Sequence, residues 1–176
     1  MIYLLLVDGF EEIEALTPVD VLRRCGANIL TVGVCKKTVI GAHNISVECD
    51  ILFDEIKKDD MEMLILPGGP GHTALKTGKV KELISYADNK GIYIASICAA
   101  PSVVGEMGLL EGRKATCFPG FEQELKGAEV LDLKVVTDGN YITAKGAGAA
   151  GEFAFKLAEL MCGLETAEKI KNAMQY

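Results

Sequence analysis

Histidine is nearly absent from this chain: His43 and His72 are the only two. Neither adjoins a cysteine, so there is no local Cys-His dyad, and base-assisted chemistry has few side chains to draw on. Positive charge is scarce too. Eighteen Lys and Arg stand against 25 Asp and Glu, a net charge of −7, which argues against nucleic acid and anionic membranes as partners. No apolar run reaches the ~20 residues of a membrane span. The N-terminal M-I-Y-L-L-L-V-D-G lacks a basic n-region and reads as a first strand rather than a signal peptide. Among six scattered cysteines (Cys25, Cys35, Cys49, Cys98, Cys117, Cys162) there is no C-x-x-C pair, which leaves no zinc knuckle and no secreted disulfide framework. The expectation is a cytoplasmic protein with no metal site and no cofactor. Ser/Pro linkers, low-complexity tracts and internal repeats are also missing. What remains is one domain, residues 1–176, with 49% hydrophobic and 24% charged residues, long enough to bury roughly 70% of its unfolded surface.

The hydrophobic runs alternate between two periods. Residues 2–7, 27–34, 61–66 and 92–97 read as strands buried on both faces. Between them, residues 10–24 and 80–89 carry helical periodicity, with Pro18 expected to kink or restart the first helix and Gly26 to close it. Residues 38–49 alternate loosely, as a strand pair or edge extension would. Beyond residue 97 the pattern predicts a helix over 101–110, a strand over 114–118 and a helical turn over 121–125. It then predicts a hairpin around Asp138-Gly139-Asn140, a helix ending at Gly163 and a last helix over 166–174. Strands alternating with helices imply an α/β fold, with a mainly parallel sheet covered on both faces.

The chain is organised around G-I-Y-I-A-S-I-C-A-A-P at 91–101. Cys98 sits where a buried strand turns into a helix, flanked two residues away by the small Ser96 and Ala100. A sharp strand-to-helix turn requires such flanks, as in the nucleophile elbow of hydrolases. The positive end of the following helix favours thiolate; the alternative is a buried core cysteine.

In an open α/β sheet the site lies outside the carboxyl ends of the strands, which brings together residues 8–14, 66–71, 98–101 and 145–148. Gly68 and Gly69 permit close backbone approach and can aim N–H groups at a developing oxyanion. Of three acidic residues opening the first helix, Glu11 and Glu12 read as dipole-complementing groups on a solvated face. Glu14 reads as a carboxyl turned toward the sulfur, pushed toward its protonated form by desolvation. His72 reads as a surface loop residue that can line the cleft, as can Phe118 and Ala147; His43 reads as incidental. Gly146, Gly148 and Gly151 match G-x-G-x-x-G, but no βαβ unit follows to hold a ribose, which disfavours dinucleotide binding.

Five motifs in order, D-G-F-E-E-I-E at 8–14, T-P-V-D-V-L-R-R at 17–24, L-P-G-G at 66–69, I-C-A-A-P at 97–101 and K-G-A-G at 145–148, resemble the DJ-1 branch of the ThiJ/PfpI superfamily. The resemblance implies a flavodoxin-like three-layer α/β sandwich, usually a homodimer. By position it makes Cys98 the oxidisable nucleophile and Glu14 the carboxyl bonded to it. Gly69 and Ala99 become the backbone donors of the anion pocket, and Arg24 an arginine near the dimer contact; whether Cys49 also lies there is left open. Two departures stand out. Ala99 replaces the histidine that follows cysteine in the protease-like branch, which argues against peptidase activity. Phe118, before Pro119, stands where some DJ-1 members carry a histidine, so general-base work falls to Glu14 or solvent.

The resemblance implies first a stress-response protein whose Cys98 is oxidised to sulfenic and sulfinic acid. It implies second a cofactor-free glyoxalase or deglycase acting on methylglyoxal or its adducts, so that the small-molecule partner is an oxidant or a small aldehyde. A thiamine-pathway or chaperone-like role is less favoured, since the first finds no thiazole phosphate site and the second gives the elbow no task.

Overall fold

Leucine- and β-branched-rich runs, punctuated by turn residues, form eleven strands and five α-helices across residues 1–176, all of which the computed structural model describes. Strand β1 (Ile2–Leu6) leads to α1 (Glu12–Arg24) and β2 (Ile29–Gly33). β3 (Thr38–Ile40) and β4 (Ser46–Glu48) pair as a separate antiparallel hairpin, followed by β5 (Ile51–Leu52). Next come β6 (Met63–Leu66), α2 (Gly78–Asn89), β7 (Tyr93–Ile97) and α3 (Pro101–Gly105). Short β8 (Lys114–Ala115) pairs with β9 (Glu129–Val130), and β10 (Val135–Asp138) turns back into β11 (Tyr141–Ala144). Helices α4 (Ala150–Cys162) and α5 (Leu164–Ala173) follow.

Seven strands make the central sheet in the order β10-β11-β7-β6-β1-β2-β5, parallel throughout except for the β10–β11 hairpin. Alternation along β1 explains the layers. Ile2, Leu4 and Leu6 point to the face covered by α1, α4 and α5, while Tyr3 and Leu5 point to the face covered by α2 and α3. Each leucine so buried contributes about 1.5–3 kcal/mol. The result is the mainly parallel, doubly covered sandwich that the strand and helix alternation implied. Adjacent β11, β7, β6 and β1 bring the segments that follow them to one end of the sheet.

Several boundaries differ from the sequence reading. Helix α1 runs unbroken through Pro18, because packing of Ala15, Pro18, Val19 and Leu22 against the sheet outweighs one missing backbone bond. Helix α3 stops at Gly105 instead of 110. The Glu124 carbonyl oxygen lies 2.5 Å from where a Cβ on Gly105 would stand, and Gly108 and Gly112 follow with positive φ. The strand expected over 114–118 ends at Ala115, since the Thr116 N–H donates to Thr143 Oγ1 (2.9 Å) and the Phe118 N–H to the Cys98 carbonyl (2.8 Å).

Candidate active site

Strand β7 ends at Ile97 and the chain reverses through Cys98, whose φ is +64°. A non-glycine residue in this left-handed conformation costs on the order of 1–3 kcal/mol and persists only where its surroundings hold it. Here they do: the Cys98 N–H donates to the Ala144 carbonyl (2.9 Å), and the Cys98 carbonyl accepts from Phe118. The strain of an elbow is therefore present, and it presents the sulfur half-buried rather than sealed in the core.

Glu14, in the first turn of α1, is only 1% exposed. Its carboxylate accepts the Gly68 N–H at 3.0 Å and the Ala147 N–H, and it shares a hydrogen bond with the Cys98 thiol. Burial pushes this carboxyl up to about 7, helped by the charge of Glu11 and opposed by the three hydrogen bonds. On the sulfur, burial is the largest influence and raises the Cys98 thiol to about 12; the Glu14 charge adds to it. The backbone N–H groups of Gly69 and Ala99 pull the other way, toward thiolate.

The expectation of a resting thiolate held by a helix dipole is therefore corrected. Helix α3 has five residues and begins three positions after the sulfur, and its field does not offset burial beside a carboxylate. The two groups share protons as a pair. When Glu14 is protonated, its repulsion disappears and it can donate to sulfur, which favours thiolate.

Gly68 is at this site for want of a side chain. A Cβ there would lie 2.6 Å from the Cys98 Cβ and 2.6 Å from Glu14 Oε2. Gly69 has φ +96°, and the Glu11 N–H donates to the Gly68 carbonyl at 3.1 Å, tying the first segment to this turn. Gly68, read from sequence as an oxyanion donor, and Ala147, read as cleft lining, thus both direct their N–H groups at Glu14. Phe118 stands 47% exposed beside the elbow, tied to it through its N–H on the Cys98 carbonyl. With Pro119, Lys134, Lys145 and residues 146–149 it lines a cavity of about 540 Å³.

Three sequence expectations change. His72 is buried rather than a surface residue: its Nδ1–H donates to the Gly69 carbonyl (3.0 Å) and its ring packs edge-on against Phe121. It braces the turn that presents the Gly69 N–H. Glu12 is not on a solvated face but 6% exposed, because the His43 backbone N–H (2.7 Å) and Nδ1 (2.8 Å) engage its two oxygens. Burial opposes the Glu12 charge, yet these bonds hold its carboxyl below the usual range, and they raise His43 in turn. His43 is consequently not incidental; it pins the β3–β4 hairpin to α1, with Glu11 Oε2 at 3.7 Å. Arg24 pairs with Asp20 on the exposed side of α1. Of the G-x-G-x-x-G glycines, Gly146 makes room for the Phe118 ring and Gly151 for Tyr176. The contributions that sequence reading missed come from backbone atoms of Ala144 and Phe118, for which no residue type is a signal.

Residues 1–160 match the family described as DJ-1/PfpI. The chain belongs to the DJ-1/PfpI family. Among curated proteins it is 34% identical over 173 residues to Protein DJ-1 homolog B of Arabidopsis thaliana, covering 96% of this chain but 39% of that longer protein. To Protein dj-1beta of Drosophila melanogaster it is 32% identical, covering 97% of this chain and 94% of the relative. To Deglycase PfpI of Pyrococcus furiosus it is 31% identical, covering 84% and 90%. Among solved structures, Drosophila melanogaster DJ-1beta superposes with a TM-score of 0.94 at 31% identity, over 99% of this chain and 96% of that one. The oxidised form of DJ-1 from Toxoplasma gondii gives 0.93 at 29% identity, over 99% and 97%. The fold and the DJ-1 branch implied by the five motifs are both borne out.

Proposed function

We propose that this DJ-1-like protein uses Cys98 as an oxidisable nucleophile, with Glu14 as the proton-carrying partner that stabilises the oxidised sulfur. The observation that carries this reading is one hydrogen-bonded unit: the half-buried Cys98 sulfur, the Gly69 and Ala99 N–H groups, and the Glu14 carboxyl raised to about 7. A hydroperoxide oxygen accepts the sulfur electron pair, the O–O bond breaks, and water or an alcohol leaves, giving the sulfenic acid. A second equivalent gives the sulfinate. The sulfinate is anionic, so it keeps Glu14 protonated, and the acid donates to a sulfinate oxygen while the backbone N–H groups complete the pocket. That a close structural neighbour is an oxidised DJ-1 supports this reading. Mild peroxide should add oxygen stepwise to Cys98, read by intact mass and peptide mapping. Equal oxygen gain at all six thiols, or unchanged sulfinate yield in Glu14→Ala, would sink the proposal.

A second reading rests on the near-neutral Glu14 and on relatives named deglycase. Cys98 would add to the aldehyde carbon of methylglyoxal. Glu14 would take the proton from that carbon and return it to the neighbouring one, and water would release lactate from the resulting thioester. Phe118 in place of a histidine leaves this route a single base, which favours the first reading. Lactate formation, compared with Cys98→Ala and Glu14→Ala, decides it.

Both readings carry a homodimer and a cytoplasmic location with them. Six free cysteines fit a reducing compartment, and no helix is long and apolar enough to cross a membrane.

A further inference from the structure

At the end of the sheet opposite Cys98, helices α1 and α4 finish side by side. Cys25 is the C-terminal cap of α1 and Cys162 the last residue of α4. Both side chains are half-buried, and both line a cavity of about 330 Å³ together with Ile2, Gly26 and Met161. That shared lining makes the two thiols neighbours, near enough for each to bear on the other's ionisation. Each cysteine is followed directly by a glycine at positive φ, Gly26 at +78° and Gly163 at +83°, and neither glycine has an atom within 4 Å of where a Cβ would lie. Two neighbouring thiols, on helix ends that adjoin open glycine turns, can reach disulfide geometry by local adjustment, without moving the sheet.

We propose that Cys25 and Cys162 form a reversible dithiol–disulfide pair, a second redox site separate from the elbow. Burial raises both thiols, but Cys25 acts to lower Cys162 whereas Cys162 further raises Cys25, so Cys162 is the sulfur that attacks first. It displaces water from hydrogen peroxide to become a sulfenic acid. The Cys25 sulfur then attacks that sulfur and a second water leaves, so two thiols and one peroxide give one disulfide and two waters. The bond would join the far ends of α1, which carries Glu14 in its first turn, and α4, which follows the loop whose Ala147 N–H reaches Glu14. Oxidation would thus clamp together the two helices between whose beginnings that carboxyl lies.

The experiment uses the full chain carrying Cys98→Ala, which removes oxygen uptake at the elbow, exposed to a small excess of hydrogen peroxide. Non-reducing intact mass and peptide mapping should show the loss of two hydrogens and a peptide pair joined through Cys25 and Cys162. Dithiothreitol should restore the mass, and the Tm should stand several degrees higher in the oxidised form. Cys25→Ser and Cys162→Ser, each folded by circular dichroism, should each abolish the linkage. Oxygen gain at the two thiols without a bond, pairing with another cysteine or between chains, or a linkage that survives either serine variant would overturn the proposal. Because the elbow cysteine is already removed, failure here leaves the reading of Cys98 untouched.

Discussion

Glu14 is a carboxyl that titrates near neutrality while almost wholly buried, and this makes it sensitive to pH in a way that an exposed acid is not. Its folded value of about 7 lies above the ordinary 4.5. The unfolded chain therefore releases this proton first, and the stabilisation it gives is complete below pH 4.5 and lost as pH rises through 7. The shift corresponds to roughly 3 kcal/mol at full expression. Urea unfolding at pH 5 and pH 8 should show a fall in stability that Glu14→Gln largely removes; an equal fall in the variant would refute this assignment. The Glu12–His43 pair is bounded on both sides instead. His43 is raised and Glu12 lowered, so the contact is intact from below pH 4.5 to above pH 6.5 and weakens outside that window. An NMR titration of the His43 ring should give a midpoint above 6.5 in the wild type, and Glu12→Gln should bring it back toward that value. His43 was illegible in sequence because a partner 31 residues away decides its role.

Among the elements, the turn after β6 carries the tightest constraint. A methyl group on Gly68 would meet both Cys98 and Glu14 at 2.6 Å, so Gly68→Ala should destabilise the fold by about 1–3 kcal/mol. It should also lower sulfinate yield, as Glu14 is pushed off the sulfur. Wild-type yield after peroxide, read by intact mass, would contradict this account of the turn. Helix α1 shows what the sequence revealed and what it concealed. Its helical period is plain, yet Ile13, which falls on the apolar period, is 53% exposed, while Glu12 and Glu14 are buried instead. Apolar periodicity follows the core face only where no functional carboxyl occupies it. The elbow was legible because strand residues, small flanks and a following proline all mark the same turn. The two-residue β5 and β9 were not, since a strand so short leaves no period to detect.

For the molecule as a whole, the order of buried runs makes the parallel sheet readable in the sequence itself, because strands covered on both faces must be apolar at every position. Oligomeric state was not readable in that way. Exposed Ile13 and Tyr176 adjoin Leu16 and Met174 in a shallow groove along α1, the kind of apolar surface that a second copy would cover. Sedimentation should therefore give a dimer, and Ile13→Lys should shift it toward monomer with the circular dichroism unchanged; a monomeric wild type would remove the expectation. One further consequence follows from where the donors to Glu14 come from. The acid lies fourteen residues from the start, one amide that holds it is at Gly68, and another is at Ala147. A nascent chain leaving the ribosome has made its cysteine long before the last of these partners exists. The sulfur therefore meets its full set of neighbours only once the chain has been made past residue 147.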